Sequence, residues 1–252
     1  MKSSHWKQRV AIVGLCGIAG GILAPRLLAV PRVRDAQPES VAPTVIFTSP
    51  AQPPKGAVVL FSGKEDELKS NFYKRYSKDD STWTVDAAGV ATPAKSDLTS
   101  KKEYGDCYAH VEFREPVDAD GHTLGEGNSG IGFQGRYEVQ ILDSYGKNPE
   151  NTSCGAFYSQ KAPLVTASKK PNEWQTYDII FRAPRFDADG KQTEKARATV
   201  IQNGIVVQNN EEFNGPTGIQ YGENKGEVKT GPLIIQGDHD PVQFRKIWVV
   251  PM

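Results

Sequence analysis

Thirty Lys+Arg balance thirty Asp+Glu over 252 residues, so the net charge is near zero, which argues against nucleic acid or an anionic membrane surface as partner. The length fits one large all-β domain or two small ones, and 24 Gly and 17 Pro accompany a modest aromatic content. No stretch combines clustered Lys/Arg with interleaved aromatics, the pattern that tracks a phosphate backbone.

Residues 1–30 read as a secretory signal. Lys2, Lys7 and Arg9 precede the apolar, Gly-rich run Val10–Ala24, which Pro25 and Arg26 close. About 15 apolar residues are few for a membrane span, so export is expected, with an uncleaved anchor as the alternative. Removing this segment leaves Cys107 and Cys154. In an exported protein they either form one disulfide or stay as two buried thiols. Residues 31–56 have linker composition, with Pro38, Pro43, Pro50, Pro53 and Pro54. Val45-Ile46-Phe47 is an apolar island that fits a first edge strand.

The folded domain is expected over residues 57–252. Val58–Phe61 is a short apolar strand. Trp83–Asp86 and Gly89–Thr92 flank a turn. Leu98–Lys102 follows, then Tyr108–Arg114, where Tyr108, His110, Glu112 and Arg114 alternate with Ala109, Val111 and Phe113. Ser153–Tyr158 and Trp174–Arg182 read as strands. Asn203-Gly204 between Ala196–Gln202 and Ile205–Gln208 is a hairpin signal, because both residues accept the positive φ of a type I′ turn. Gly231–Gln236 and Val242–Val250 close the chain. Roughly ten short strands with almost no helical periodicity predict an all-β, antiparallel β-sandwich or barrel.

The stretch from Gln134 to Ile141 stands apart. Gln134, Arg136, Glu138 and Gln140 alternate with apolar Tyr137, Val139 and Ile141, which predicts a strand with one face on a core and one in water. Residues two apart on a strand stand about 7 Å from each other, a spacing that suits the hydroxyl groups of a sugar. Glu138 fits either a salt bridge on a solvated face or a catalytic carboxylate. Asp143 has the opposite parity and joins Glu138 only through a bend after Ile141; otherwise it caps a turn. His239, between Asp238 and Asp240, is a candidate proton carrier or an exposed loop residue. Asp118-x-Asp120-Gly121 and Asp187-x-Asp189-Gly190 read as turns rather than calcium loops. No metal and no cofactor is expected, and no esterase elbow, phosphate loop or dinucleotide fingerprint is present.

Several blocks together resemble the 3-keto-disaccharide hydrolase domain family. They are Leu60–Lys64, Gly127–Ile131, Gly135–Ser144, Cys154–Tyr158, Glu173–Ile179, Arg182–Asp187, Asn203-Gly204 and Phe244–Trp248. The resemblance runs from about Ala57 to the end. It implies a jelly roll of the concanavalin-like lectin and glucanase type, located in a bacterial envelope as a secreted or periplasmic protein. It also implies a 3-keto-sugar or oligosaccharide substrate and a functional link to a sugar oxidoreductase. The expected catalytic residues are Glu138, His239 and Asp143, with Arg136, Gln140, Gln134, Asn128 and Gln236 binding substrate. Ser62 stands where many members have Asp, and Gly237 is inserted before Asp238-His239. Two other readings differ in class: a non-catalytic carbohydrate-binding module, and a laminarinase-like hydrolase, against which Gln140 stands where that pattern wants Asp.

Overall fold

The computed structural model describes residues 46–217 and 226–252. The signal segment and most of the Pro-rich stretch, Val45 included, lie outside the described residues. Ile46 and Phe47 are not in a strand; their amides both donate to Gly204 O, at 2.9 and 3.1 Å. No helix among the described residues is long and apolar enough to cross a membrane.

Two antiparallel sheets carry the fold. The larger is built from β1 (Val58–Phe61), β3 (Thr84–Val85), β4 (Ala91–Thr92), β6 (Cys107–Arg114), β9 (Gln175–Arg182), β12 (Arg197–Gln202), β13 (Ile205–Glu212) and β15 (Gln243–Pro251). Its order is β13-β12-β9-β6-β15-β4-β3, with β1 also on β15. The smaller contains β2 (Phe72–Lys74), β5 (Leu98–Tyr104), β7 (Ser129–Phe133), β8 (Tyr137–Ile141) and β14 (Gly231–Ile235), in the order β2-β5-β14-β7-β8. A two-stranded ribbon, β10 (Arg185–Phe186) with β11 (Gln192–Glu194), stands apart. The expected sandwich is therefore present, with more and shorter strands than the sequence suggests.

Period-two patterning explains the core. Val111 and Phe113 of β6, Tyr177, Ile179 and Phe181 of β9, and Val139 and Ile141 of β8 are all fully buried. Aromatic rings join the sheets: Phe181 stacks on Phe133 of β7 at 4.8 Å and meets Tyr137 of β8 at 5.6 Å. Each such ring removes a large apolar surface from water, and the pair geometry adds about 1 kcal/mol. Cys107 and Cys154 are free buried thiols, with burial raising each to about 12. Asn203 and Gly204 take φ of 53° and 82°, as the hairpin signal requires.

Three local expectations change. The strand predicted from Gln134 begins at Tyr137, because Gln134 and Gly135 take positive φ of 55° and 63° and Gln134–Arg136 form the β7–β8 turn. Ser153–Tyr158 is a chain of turns rather than a strand, with Gly155 at φ 83°. It still guards the outer edge of β8 through Gly155 N→Gln140 O (2.9 Å) and Tyr158 N→Glu138 O (3.2 Å). The polar stretch after Lys64 contains a short helix, α1 (Glu65–Asn71), whose single buried residue, Leu68, gives no periodicity to read. Ser62 serves that helix: its N and Oγ both donate to Glu67, each at 2.7 Å.

Candidate active site

Parity decides what the small sheet shows on its outer face. Because Tyr137, Val139 and Ile141 point into the sandwich, Glu138 and Gln140 point away from it. Register then extends this into two rows across the sheet. Gln140 lies opposite Gly130, and Glu138 opposite Gly132. Gly132 in turn lies opposite Ile234, and Ile234 opposite Thr99. Thr99 faces Tyr73 on β2. One step along, Gln236 N donates to Gly130 O at 2.9 Å, and Arg75 N to Asp97 O at 3.1 Å. The outer face therefore presents Tyr73, Thr99, Ile234, Gly132 and Glu138 in one row. Arg75, Asp97, Gln236, Gly130 and Gln140 form the other.

The face is not wet, as the alternation alone suggests. Glu138 is 1% exposed, Gln236 1%, Asp97 2%, Gln140 3% and Thr99 4%. Gly130 leaves room for this. A side chain at Gly130 would press on Glu138: its Cβ would sit 3.0 Å from both Cδ and Cγ of Glu138, and closer still to Oε1. The Glu138 carboxyl thus lies folded over Gly130, toward Gln236. With its amide nitrogen turned toward Glu138, Gln140 donates to Glu138 Oε1 at 3.2 Å and to Ser129 O at 2.9 Å. Thr217 Oγ1 accepts the Glu138 backbone N–H at 3.0 Å.

Electrostatics separate these carboxyl groups from ordinary surface acids. Burial, reinforced by the charges of Asp97 and Asp238 and opposed by Arg75, pushes Glu138 up to about 8. Asp97 is also raised, chiefly by burial, although Gly237 N–H and Arg75 favour its charged form. Arg75 Nη1 meets Asp97 Oδ2 at 3.1 Å, both side chains nearly buried. Arg75, Asp97, Thr99 and Tyr73 were missed in the sequence. Only the alternation in Phe72-Tyr73-Lys74-Arg75 and in Asp97-Leu98-Thr99 signals them, over runs too short to stand out.

The remaining expected residues distribute around this face. A cleft of about 370 Å³ is lined by Tyr73, Arg75, Thr99, Gln134, Arg136 and Ile234, among others. Another, of about 460 Å³, is lined by Asn128, Gln140, Asp143 and Lys147 with their neighbours. Arg136 and Gln140 thus serve different clefts rather than one row. Arg136 spends Nε on Gly226 O (2.6 Å) and Nη1 on Gln134 O (2.7 Å). Gln134 is buried, its amide nitrogen held by Lys229 O at 3.1 Å. Asp143 accepts Thr123 Oγ1 at 2.8 Å and Tyr145 N at 3.3 Å, a turn-capping role beyond the end of β8. Asn128 N donates to Asp240 Oδ2 at 2.9 Å.

His239 stands on the rim, about one third exposed, with Nδ1 on Asp238 Oδ1. The inserted Gly237 has a local cause: a side chain there would collide with the Trp83 ring and Ser96 O. Its N–H reaches Asp97 Oδ1 at 2.9 Å. Asp238 and Asp97 share a third cleft of about 340 Å³ with Arg75 and Tyr76. Asp118, Asp120 and His122 could together approach a metal ion. They are exposed, however, and Asp118 Oδ1 is occupied in closing its own turn on Asp120 N and His122 N, both at 2.9 Å.

Residues 56–250 match the family model of the 3-keto-alpha-glucoside-1,2-lyase-like domain. A candidate glycosyl hydrolase from Parabacteroides distasonis ATCC 8503 is similar in structure, at 34% identity and a TM-score of 0.68, over 82% of this chain and 94% of that one. A second candidate glycosyl hydrolase from the same organism is 17% identical, with a TM-score of 0.56 over 78% of this chain and 94% of its own, and shares the fold. Among curated proteins no relative matches.

Proposed function

The chain belongs to the 3-keto-alpha-glucoside-1,2-lyase-like domain family, and from that premise we propose that it cleaves 3-keto-glycosides, 3-keto-disaccharides among them, by elimination followed by hydration. A ketone at carbon 3 acidifies the hydrogen on carbon 2. A base removes that proton and the electron pair moves into the carbonyl as an enolate. The enolate then expels the glycosidic oxygen from carbon 1, leaving a carbon 1–carbon 2 double bond. Water adds at carbon 1 and a proton returns to carbon 2, giving the free 3-keto sugar. This route needs one base, donors for the enolate oxygen and an acid for the leaving oxygen, not the closely spaced carboxylate pair of a retaining glycosidase.

The observation that carries this reading is Glu138, a carboxyl buried on the polar face of the small sheet and pushed up to about 8. A carboxylate with so high a value is a far stronger base toward carbon than a surface Glu. Glu138 is assigned as the base. Arg75 supplies the positive charge beside it, and His239, oriented by Asp238, is the acid for the leaving oxygen. Gln140 and Asn128 bind the sugar at one end of the face and Arg136 at the other. Asp143 holds the loop of the second cleft. The relatives named as candidate glycosyl hydrolases support a carbohydrate substrate.

Export to a bacterial envelope, and action beside an oxidoreductase that makes the ketone, belong to the same proposal, because the substrate must first be oxidised. The test is turnover of 3-keto-disaccharides by the wild type, Glu138→Gln and His239→Ala. Loss of at least a hundredfold in kcat for Glu138→Gln supports the assignment, and full activity in both variants defeats it. Saturable binding of sugars without any product would favour a carbohydrate-binding module instead.

A further inference from the structure

Gln236 is buried to 1% exposure on the same face, yet among the described residues neither its Nε2 nor its Oε1 has a hydrogen-bond partner. Thr99 Oγ1, on the neighbouring strand, is likewise without a partner among them, in a residue 4% exposed. A buried amide with both ends unmatched is uncommon, because each end has given up water for nothing. In this protein the two unmatched side chains lie on one platform beside Glu138.

The geometry narrows what would complete them. Gln236 is held directly opposite Gly130 by its backbone N–H on Gly130 O at 2.9 Å. The Glu138 carboxyl lies over the place where a Gly130 side chain would be. Directly opposite positions on paired strands place their Cβ atoms about 5 Å apart, so the Glu138 carboxyl, lying over the Gly130 position, stands beside the Gln236 side chain. A base at one carbon and an N–H donor at the oxygen of the next is the arrangement that enolate formation requires.

We propose that Gln236 is a catalytic residue, whose Nε2 donates to the substrate oxygen that becomes the enolate, while its Oε1 and Thr99 Oγ1 take sugar hydroxyl groups. This rests on the elimination reading above. Glu138 takes the proton from carbon 2, the electron pair goes to the carbonyl oxygen, and Gln236 donates a hydrogen bond without transferring its proton. The substrate selected is a sugar ring bearing a ketone next to a hydroxyl, an acceptor beside a donor, which an amide matches with its two ends.

The test uses Gln236→Leu, Gln236→Glu and Thr99→Val in the full chain. Kinetics on a 3-keto-disaccharide are combined with NMR of solvent exchange at carbon 2 in D2O and with melting curves. For Gln236→Leu, kcat and the exchange rate should fall together by about a hundredfold or more. Its melting temperature should hold or rise, since no protein hydrogen bond is lost; a purely structural role would lower it. Gln236→Glu should be at least as slow once its new carboxyl is ionised, having then no donor and an added negative charge. Thr99→Val should raise KM several-fold at nearly constant kcat. If the wild type turns over and Gln236→Leu keeps its kcat and exchange rate, or loses them only with its fold, the assignment is overturned while the reaction stands. If the wild type neither turns over nor exchanges any 3-keto-glycoside, both are overturned.

Discussion

Glu138 connects stability to chemistry through a single proton. In the folded protein its carboxyl is pushed up to about 8, chiefly by burial, from an ordinary 4.5. The folded state therefore holds this proton more tightly than the unfolded chain does. The stability from the neutral form is complete below 4.5 and is lost as pH rises through about 8, at a cost on the order of 5 kcal/mol. Activity should move the other way, rising with pH over the same range as the base ionises. Glu138→Gln should remove much of the fall in melting temperature between pH 6 and pH 9 while abolishing turnover. An equal pH slope in the variant would place the proton elsewhere. Gly130→Ala probes the same contact from beneath. Its backbone accepts a side chain, but the new methyl group would press on Glu138 Oε1. The carboxyl must swing away, so kcat should fall at least tenfold in a protein whose circular dichroism is unchanged.

At the scale of elements, the β7–β8 hairpin and the strands crossing from β2 to β14 assemble the site. The alternation of Tyr137, Val139 and Ile141 shows which face of β8 is core, and the structure agrees. It does not show that the opposite face is buried, because parity fixes direction and says nothing of what packs above. Nor does it bring Arg75 and Asp97 to Glu138: that depends on the strand order β2-β5-β14-β7-β8, in which β14 from near the end of the chain separates β5 from β7, and this leaves no local signal. The Gln175 block was legible as a motif but serves as a buried knot. Gln175 Nε2 donates to both oxygens of Glu115, at 2.9 and 2.8 Å, and its Oε1 accepts from Lys169 N and Asn203 Nδ2. Glu115, raised to about 7 by burial despite those bonds, would be left unpaired by Gln175→Ala. That variant should lose about 3 kcal/mol in urea unfolding at pH 8; a loss under 0.5 kcal/mol would show the knot to be dispensable.

Across the whole molecule, the two sheets place two polar clusters on opposite outer faces. The larger sheet carries His110, whose Nδ1 meets Asp178 Oδ1 at 2.8 Å and whose ring stacks on Trp248. Burial disfavours its charged form, but bonds to Asp178 and Glu112 outweigh that and raise it. Glu112 resists burial through His110, Lys246 and Arg245 and is held down at about 2. The signs follow from linkage. The contribution of His110 is full below 6.5 and lost as pH rises through its raised value, in the same direction as Glu138 and Glu115. That of Glu112 is present above 4.5 and lost as pH falls toward 2. Melting temperature should therefore peak near pH 4.5 and decline on both sides; a maximum above pH 8 would contradict these charge states. The elimination route can be followed atom by atom in heavy water. A 3-keto-disaccharide and its unoxidised parent are each incubated with the protein in D2O, and released sugar is followed by proton NMR. Release from the oxidised sugar alone, with deuterium at carbon 2 of the product, is the predicted result; release from both sugars, or from the oxidised one with its carbon 2 hydrogen retained, would contradict it.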